Sequence, residues 1–362
     1  MVDSIYVHIP FCKQKCLYCD FNSFQNKENI IDKYMKALYK ECARFSFDEK
    51  IKTIYIGGGT PSFIDSKYIV KLLKILPKAE EVTIEMNPCT VTEKKLNDYK
   101  SVGINRISIG LQTTDDKILK KIGRAHTFED FKKAYELVKK VGFENVNVDL
   151  MFGLPNQTLQ DVEASLKYLI KINPAHISCY SLIVHENIFK NLPPDEEERE
   201  MYYLIKRMLK AAGYEQYEIS NFSKEGYKSK HNLTYWNQEE YIGLGAGASS
   251  YFRGERYTNE GSVEKYISKI NSEEDIKNIE EIENEESKLR EYIILKLRLT
   301  EGVCIEDIDA KFGVNIQEMF KAQIEKLFKL GLIEFESKEV KTYIRLTEKG
   351  LDLANQVFGE FI

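Results

Sequence analysis

Three cysteines stand within eight residues near the start of the chain, in Phe11-Cys12-Lys13-Gln14-Lys15-Cys16-Leu17-Tyr18-Cys19-Asp20-Phe21. A loop with this spacing can aim three thiolates at one centre. Three sulfurs are one short of the four that close a tetrahedral zinc site or saturate a cubane cluster. Either a fourth ligand arrives from His8 or Asp20, which stand close by, or one metal position stays open for a ligand that is not protein. Cys42, Cys89, Cys179 and Cys304 are isolated and read as small core residues.

A second set of residues has the chemistry of a polar ligand site. Glu85 stands in Glu85-Met86-Asn87-Pro88, Gln112 in Gly110-Leu111-Gln112-Thr113, and Asp149 shares its parity with Asn145 and Asn147. Arg124, in Ile122-Gly123-Arg124-Ala125-His126, offers a planar fork for a carboxylate. Gly57-Gly58-Gly59-Thr60-Pro61 leaves a stretch of backbone open to close approach. Each residue alone reads as an ordinary surface or capping group. Together they would serve a ligand that carries an amino group, a carboxylate and a ribose.

The elements that must position these groups alternate regularly. Strands are expected at 4–10, 51–56, 81–86, 106–109, 145–150 and 176–182, with helices at 28–46, 66–77, 92–102, 115–122, 127–141 and 159–171. Six strand–helix units in strict order imply a parallel sheet with helices outside. Glu85, Gln112 and Asp149 then fall at the carboxyl ends of strands, where barrel enzymes keep their chemistry. Six units are fewer than the eight of a closed barrel. The expectation is therefore a partial (β/α)6 barrel, open on one side, over residues 1–190.

Beyond it the pattern changes. Residues 191–271 are expected to extend the barrel, starting with a long helix over 195–212. The stretch 272–287 is dense in glutamate and reads as a charged linker or exposed helix. From 288 to 362 three helices, a hairpin at 331–346 and a last helix suggest a small α+β, winged-helix-like domain. Its candidate recognition helix, Gln317 to Lys326, has no arginine and carries two glutamates, which argues against nucleic-acid binding.

Composition narrows the class further. The 52 basic residues are outweighed by 57 acidic ones, giving a net charge of −5 with no basic arm for nucleic acid. No stretch approaches the roughly 20 apolar residues of a membrane span. The start of the chain has neither the basic nor the apolar run of a signal peptide. A cytoplasmic protein is expected, in which grouped cysteines bind metal rather than form disulfides.

Cys12-x-x-x-Cys16-x-x-Cys19 after a first strand, with the glycine motif after the second, resembles the radical S-adenosylmethionine (SAM) superfamily. The likeness extends through Tyr6-Val7-His8-Ile9-Pro10, Gly57-Gly58-Gly59-Thr60-Pro61-Ser62, Gly103-x-Asn105-Arg106-x-Ser108-x-Gly110-x-Gln112 and Asp149-Leu150-Met151-Phe152-Gly153-Leu154-Pro155. These motifs are similar to the branch of oxygen-independent coproporphyrinogen III oxidases and their relatives, strongly over residues 1 to about 255. The resemblance implies a [4Fe-4S] cluster on Cys12, Cys16 and Cys19, with SAM on its fourth iron. It places Tyr6 near SAM, Gly58, Gly59, Thr60 and Glu85 at its methionine end, Arg124 at its carboxylate, and Gln112 and Asp149 at its ribose.

Two departures separate the activities of that branch. The oxidases carry a further cysteine where this chain has Phe21, and an extension ahead of the cluster, whereas only eleven residues precede Cys12 here. Both departures match the heme chaperone group of the branch (HemW), as does His231-Asn232-Leu233-Thr234-Tyr235-Trp236. His231 is a candidate heme ligand, and Tyr235 and Trp236 are candidates to pack on the macrocycle. The expected function is binding of heme and its delivery to acceptor proteins, by resemblance respiratory and membrane-bound; a homodimer is also allowed. The alternative is radical decarboxylation of coproporphyrinogen III with a SAM-derived 5′-deoxyadenosyl radical. A third reading, a structural metal domain with a nucleic-acid-binding tail, is disfavoured by the acidic composition.

Overall fold

The computed structural model describes residues 2–183 and 188–362. Six strands alternate with helices in its first half: β1 (Ser4–Ile9), β2 (Lys50–Gly58), β3 (Lys78–Met86), β4 (Arg106–Gln112), β5 (Asn145–Phe152) and β6 (His176–Ser181). Between them run α1 (Ile31–Cys42), α2 (Ser66–Ile75), α3 (Glu93–Ser101), α4 (Asp116–Lys121), α5 (Phe128–Val141) and α6 (Leu159–Ile172). Each strand pairs in parallel with the next in chain order. This is the partial (β/α)6 barrel that the alternation predicts.

Local sequence sets the helix ends. Thr127 and Thr158 each open a helix with a capping box, closed by Asp130 and Asp161, an arrangement that contributes about 1 kcal/mol at each end. The same two helices stop at Gly142 and Asn173 in the left-handed conformation.

The six strands alternate along their central residues. Ile5, Val7, Ile54, Ile56, Ile84, Ile107, Ile109, Val146, Val148 and Ile177 face outward into one apolar core with the helices. The other parity faces the lumen and is polar: Thr53 and Tyr55 on β2, Glu81, Thr83 and Glu85 on β3, Arg106 and Ser108 on β4, Asn147 and Asp149 on β5, His176 and Ser178 on β6. A barrel interior of this kind is held by hydrogen bonds rather than by packed aliphatic layers.

After β6 come α7 (Asp195–Ala211), β7 (Glu215–Gln216), β8 (Asn221–Ser223), α8 (Lys230–Trp236) and β9 (Ile242–Leu244). β8 joins the free edge of β6 in antiparallel fashion and β9 joins β1 in parallel, so the sheet reads β7-β8-β6-β5-β4-β3-β2-β1-β9. Helix α8 sits beneath the barrel, against the amino-terminal halves of β1, β2 and β3. There the Glu81 carboxylate accepts the Lys230 and His231 amides at 3.1 Å each, and the Ser4 and Thr234 hydroxyls meet at 3.0 Å.

A second sheet contains β10 (Ser249–Phe252) and β11 (Glu255–Asn259), followed by α9 (Val263–Asn271) and then β12 (Lys277–Ile282). The last of these corrects the expected linker at 272–287. β12 pairs antiparallel with β11 and exposes all six residues. Its charges are those of an edge strand that has no core to cover and resists further pairing.

The tail packs around a separate apolar cluster that runs from Leu289 to Phe361. It comprises α10 (Glu285–Leu297), β13 (Val303–Cys304), α11 (Ile305–Phe312), α12 (Ile316–Met319), α13 (Lys321–Lys329), β14 (Ile333–Lys338), β15 (Lys341–Leu346), α14 (Glu348–Asp352) and α15 (Ala354–Phe358). The hairpin β14–β15 is the expected wing, and β13 adds a third strand to it. The tail grips α8, since the Arg298 guanidinium lies 4.4 Å over the Trp236 ring and Lys296 Nζ donates to Asn237 at 2.7 Å. Among the described residues no helix is long and apolar enough to cross a membrane.

Candidate functional site

Backbone bonds shape the cysteine loop at the carboxyl end of β1. The Cys12 amide donates to Phe24 O at 2.9 Å and the Phe24 amide to Pro10 O at 2.8 Å. The Leu17 amide donates to Ile122 O at 3.1 Å, which ties the loop to the far wall. His8 fastens it from below, because its Nε2 bonds Asn22 O at 2.8 Å and its Nδ1 bonds the Tyr6 hydroxyl at 2.9 Å. With Nε2–H donating, Nδ1 must accept, so the Tyr6 hydroxyl is the donor. That bond turns Tyr6 toward His8, and Tyr6 does not line the cavity described below.

Cys12, Cys16 and Cys19 all line one cavity of about 410 Å³ at the carboxyl ends of the strands. Among the described residues no three His, Cys, Asp or Glu side chains close on a single metal ion. The thiols instead face a shared space. Burial pushes the Cys12 and Cys19 thiols up, against the pull of Thr60 on the first and of the Phe21 backbone on the second. Thr60 Oγ1 donates to Cys12 Sγ at 3.5 Å, and Arg124 Nη1 lies 3.5 Å from Cys16 Sγ. The donor set, three thiols with one side free, suits a cluster that takes three protein sulfurs and one outside ligand.

The glycine turn after β2 fits against this loop with no room for side chains. A Cβ on Gly59 would lie 2.9 Å from Cys12 Sγ and 3.0 Å from the Phe11 backbone, and one on Gly58 would lie 2.8 Å from the His8 ring. Gly58 also has φ near +117°, a conformation that favours glycine. Its amide donates to Glu85 Oε2 at 3.1 Å, and the Tyr55 hydroxyl donates to Oε1 at 2.8 Å. Burial nevertheless pushes the Glu85 carboxyl up to about 7.

Three other expected residues reach the same cavity. β4 slips register between Gly110 and Gln112, and Gln112 takes a left-handed φ of 70°. That bulge turns the amide into the cavity, a strained conformation of the kind found at ligand sites. Asp149 accepts from Asn147 Nδ2 at 2.7 Å. A polar chain continues away from it. Asn147 Oδ1 bonds His176 Nδ1 at 2.6 Å, and His176 Nε2 meets the Tyr217 hydroxyl at 2.8 Å. The Tyr217 hydroxyl in turn accepts the Ser229 amide at 3.2 Å, at the start of α8. Arg124 Nη2 donates to Gly110 O at 3.3 Å, so its guanidinium lies on the cysteine side of the opening.

His231 is not brought to the cavity. It is 1% exposed beneath the floor, with Nδ1 on the Thr53 hydroxyl at 2.7 Å and Nε2 on the Tyr235 hydroxyl at 2.7 Å. Both nitrogens are thus committed, and burial pushes the imidazole down to about 3, which keeps it neutral. Tyr235 is spent on His231, and Trp236 is spent on Arg298. From this six-residue element it is Asn232 that lines the cavity. Arg106, Ser108, Ser178 and Tyr180 also line it; the first two stood in a sequence motif without a role, and the last two were not singled out from sequence. Their shared parity with Gln112 and Asp149 was the available signal. At the mouth Phe21 and Ile183 are each 68% exposed, and Tyr180 is 40% exposed.

Comparison with known proteins matches residues 6–169 to the radical SAM superfamily and residues 284–353 to the HemN C-terminal domain. The chain is 39% identical to the heme chaperone HemW of Bacillus subtilis (strain 168), over 99% of each chain. It is 37% identical to the heme chaperone HemW of Lactococcus lactis, over 99% of this chain and 97% of that one. Among solved structures, the coproporphyrinogen III oxidase HemN of Escherichia coli aligns with a TM-score of 0.85 at 21% identity, over 99% of this chain and 89% of that one. At that identity the likeness is one of fold.

Proposed function

Since the chain belongs to the family of the heme chaperone HemW, we propose that it binds heme and passes it to acceptor proteins. The observation that carries this reading is the cavity itself, which joins three thiols, a polar strand-end set and an exposed apolar mouth. The thiols of Cys12, Cys16 and Cys19 would hold a [4Fe-4S] cluster. Glu85 with the Gly58–Thr60 backbone would receive the amine end of SAM, Arg124 its carboxylate, and Gln112 and Asp149 its ribose. When bound, the cluster and SAM supply one-electron chemistry. The protein's own contribution is to orient these groups through Tyr55, Asn147 and the bulge at Gln112.

Phe21, Tyr180 and Ile183 give the opening an apolar edge, suited to the flank of a macrocycle. The heme would enter from the mouth, meeting Asn232 rather than His231 at the floor. Membrane-bound respiratory acceptors reached from the cytoplasm, and a homodimeric form, belong to this reading on family grounds. Anaerobically reconstituted protein titrated with hemin is expected to shift the Soret band and then surrender the heme to an apo-cytochrome. Absence of any Soret shift would sink the reading.

One observation favours a second reading. The HemN-like fold keeps all the strand-end residues expected to hold SAM in one cavity. Conversion of coproporphyrinogen III to protoporphyrinogen by the reconstituted protein with SAM and a reductant would establish that reading instead.

A further inference from the structure

Arg106 is a buried cation that no carboxylate of the fold contacts directly. Its side chain belongs to a residue 2% exposed, on the lumen face of β4, and it lines the floor of the cavity. Among the described residues it makes no ion pair within 4.0 Å, and its Nε has no hydrogen-bond partner. Thr83, its register partner on β3, is fully buried and its hydroxyl is likewise unpartnered. Burying a guanidinium with no anion in contact costs several kcal/mol. A site retains such a group when something else supplies the anion.

The two carboxylates of the cavity reach Arg106 only through space, not as contacts. Glu85 is taken by Tyr55 and the Gly58 amide, and Asp149 by Asn147. Arg106 acts on both only at a distance, and burial still pushes both carboxyls up. Nor does Arg106 duplicate Arg124, whose guanidinium is tied to Cys16 and Gly110 on the cysteine side. The two forks therefore serve different ends of the cavity. Ser108 and Asn232 line the floor with Arg106, and the apolar residues Phe21 and Ile183 stand at the opposite end, at the mouth.

We propose that Arg106 is a floor anchor for a ligand carboxylate, which the planar guanidinium can grip through two parallel hydrogen bonds. Resting on the heme reading above, that carboxylate is a propionate of the porphyrin. Heme then enters propionate edge first and leaves its apolar edge against Phe21 and Ile183.

Hemin and hemin dimethyl ester, titrated by Soret absorbance into reconstituted wild type and Arg106→Gln, test the assignment. Wild type is expected to favour hemin over the ester by about 10- to 100-fold, the range of a charge-assisted bond. Arg106→Gln is expected to bind both as weakly as wild type binds the ester. Equal weakening of both ligands, or unchanged hemin affinity, overturns the site while leaving heme binding intact. Loss of SAM affinity with hemin unaffected assigns the anchor to SAM's carboxylate and overturns the propionate. No Soret change with wild type overturns the heme reading and this inference together. Arg106→Lys keeps the charge but not the fork, and covers the case in which the glutamine variant fails to fold. Its hemin-to-ester ratio is expected to fall several-fold, and an unchanged ratio counts against the anchor.

Discussion

The Tyr55 hydroxyl donates to Glu85 Oε1 at 2.8 Å, while the ring of the same tyrosine stacks on His231 at 5.1 Å. Through this pair the floor of the barrel holds one of the two donors to a cavity carboxylate. Glu85, raised to about 7 by burial, is held down by the Tyr55 bond. Tyr55→Phe removes that bond, so the carboxyl moves higher still. If Glu85 receives the ammonium of SAM it must be ionised, and affinity for SAM falls as pH drops through about 7. Calorimetric titration of SAM between pH 6 and 8.5 is expected to place the midpoint of the variant about 1 unit higher. Coincident midpoints would remove Glu85 from the ammonium site.

The helix beneath the cavity allows a paired test. His231→Phe breaks the bonds to Thr53 and Tyr235 in a buried site and is expected to cost about 2–4 kcal/mol of stability. The Soret maximum of the heme-loaded variant should stay where it was. Asn232→Ala should do the reverse, leaving the urea midpoint in place and altering the heme spectrum. A Soret shift on His231 substitution alone would restore the imidazole as the heme ligand.

Glu41 on α1 gives the fold a pH dependence of its own. Its buried carboxyl is pushed up to about 7, against bonds from Tyr266, the Gly245 amide and Asn259. Between about pH 4.5 and 7 the native state holds a proton that the unfolded chain has released. Stability from this group therefore falls as pH rises, by on the order of 3 kcal/mol at most. Glu41→Gln is expected to match wild type near pH 5 and to exceed it near pH 8 in urea unfolding. An equal difference at both values would show that Glu41 titrates normally.

Gly59 tests how tightly the glycine turn closes on the cysteines. Gly59→Ala drives a methyl against Cys12 Sγ and the Phe11 backbone, neither of which can move cheaply. The cost to stability is about 1–3 kcal/mol, and iron and sulfide per chain after anaerobic reconstitution should fall to a small fraction of wild type. Full cluster content in the variant would show that the loop yields.

Phe21 is exposed enough for its loss to leave stability within about 0.5 kcal/mol. Removing its ring from the mouth in Phe21→Ala is expected to weaken heme binding roughly five- to tenfold. Unchanged affinity by Soret titration would place the heme elsewhere.

Much of this protein follows from one dimension. Polar–apolar alternation along the central residues of 4–9, 50–58 and the four strands after them determined which face of each strand meets the helices, because successive side chains must point opposite ways. The cysteine spacing and the glycine turn were equally local, and they named the chemistry of the rim. Tertiary structure decided what spacing cannot reach. His231 and Asn232 are adjacent, and the α-helical turn points them in different directions. Only the docking of α8 on Glu81 settles which one faces the cavity. Arg106 sits in a motif legible from the start. Its lack of a partner depends on where Glu85 and Asp149 spend their own bonds, across strands that lie far apart in the chain.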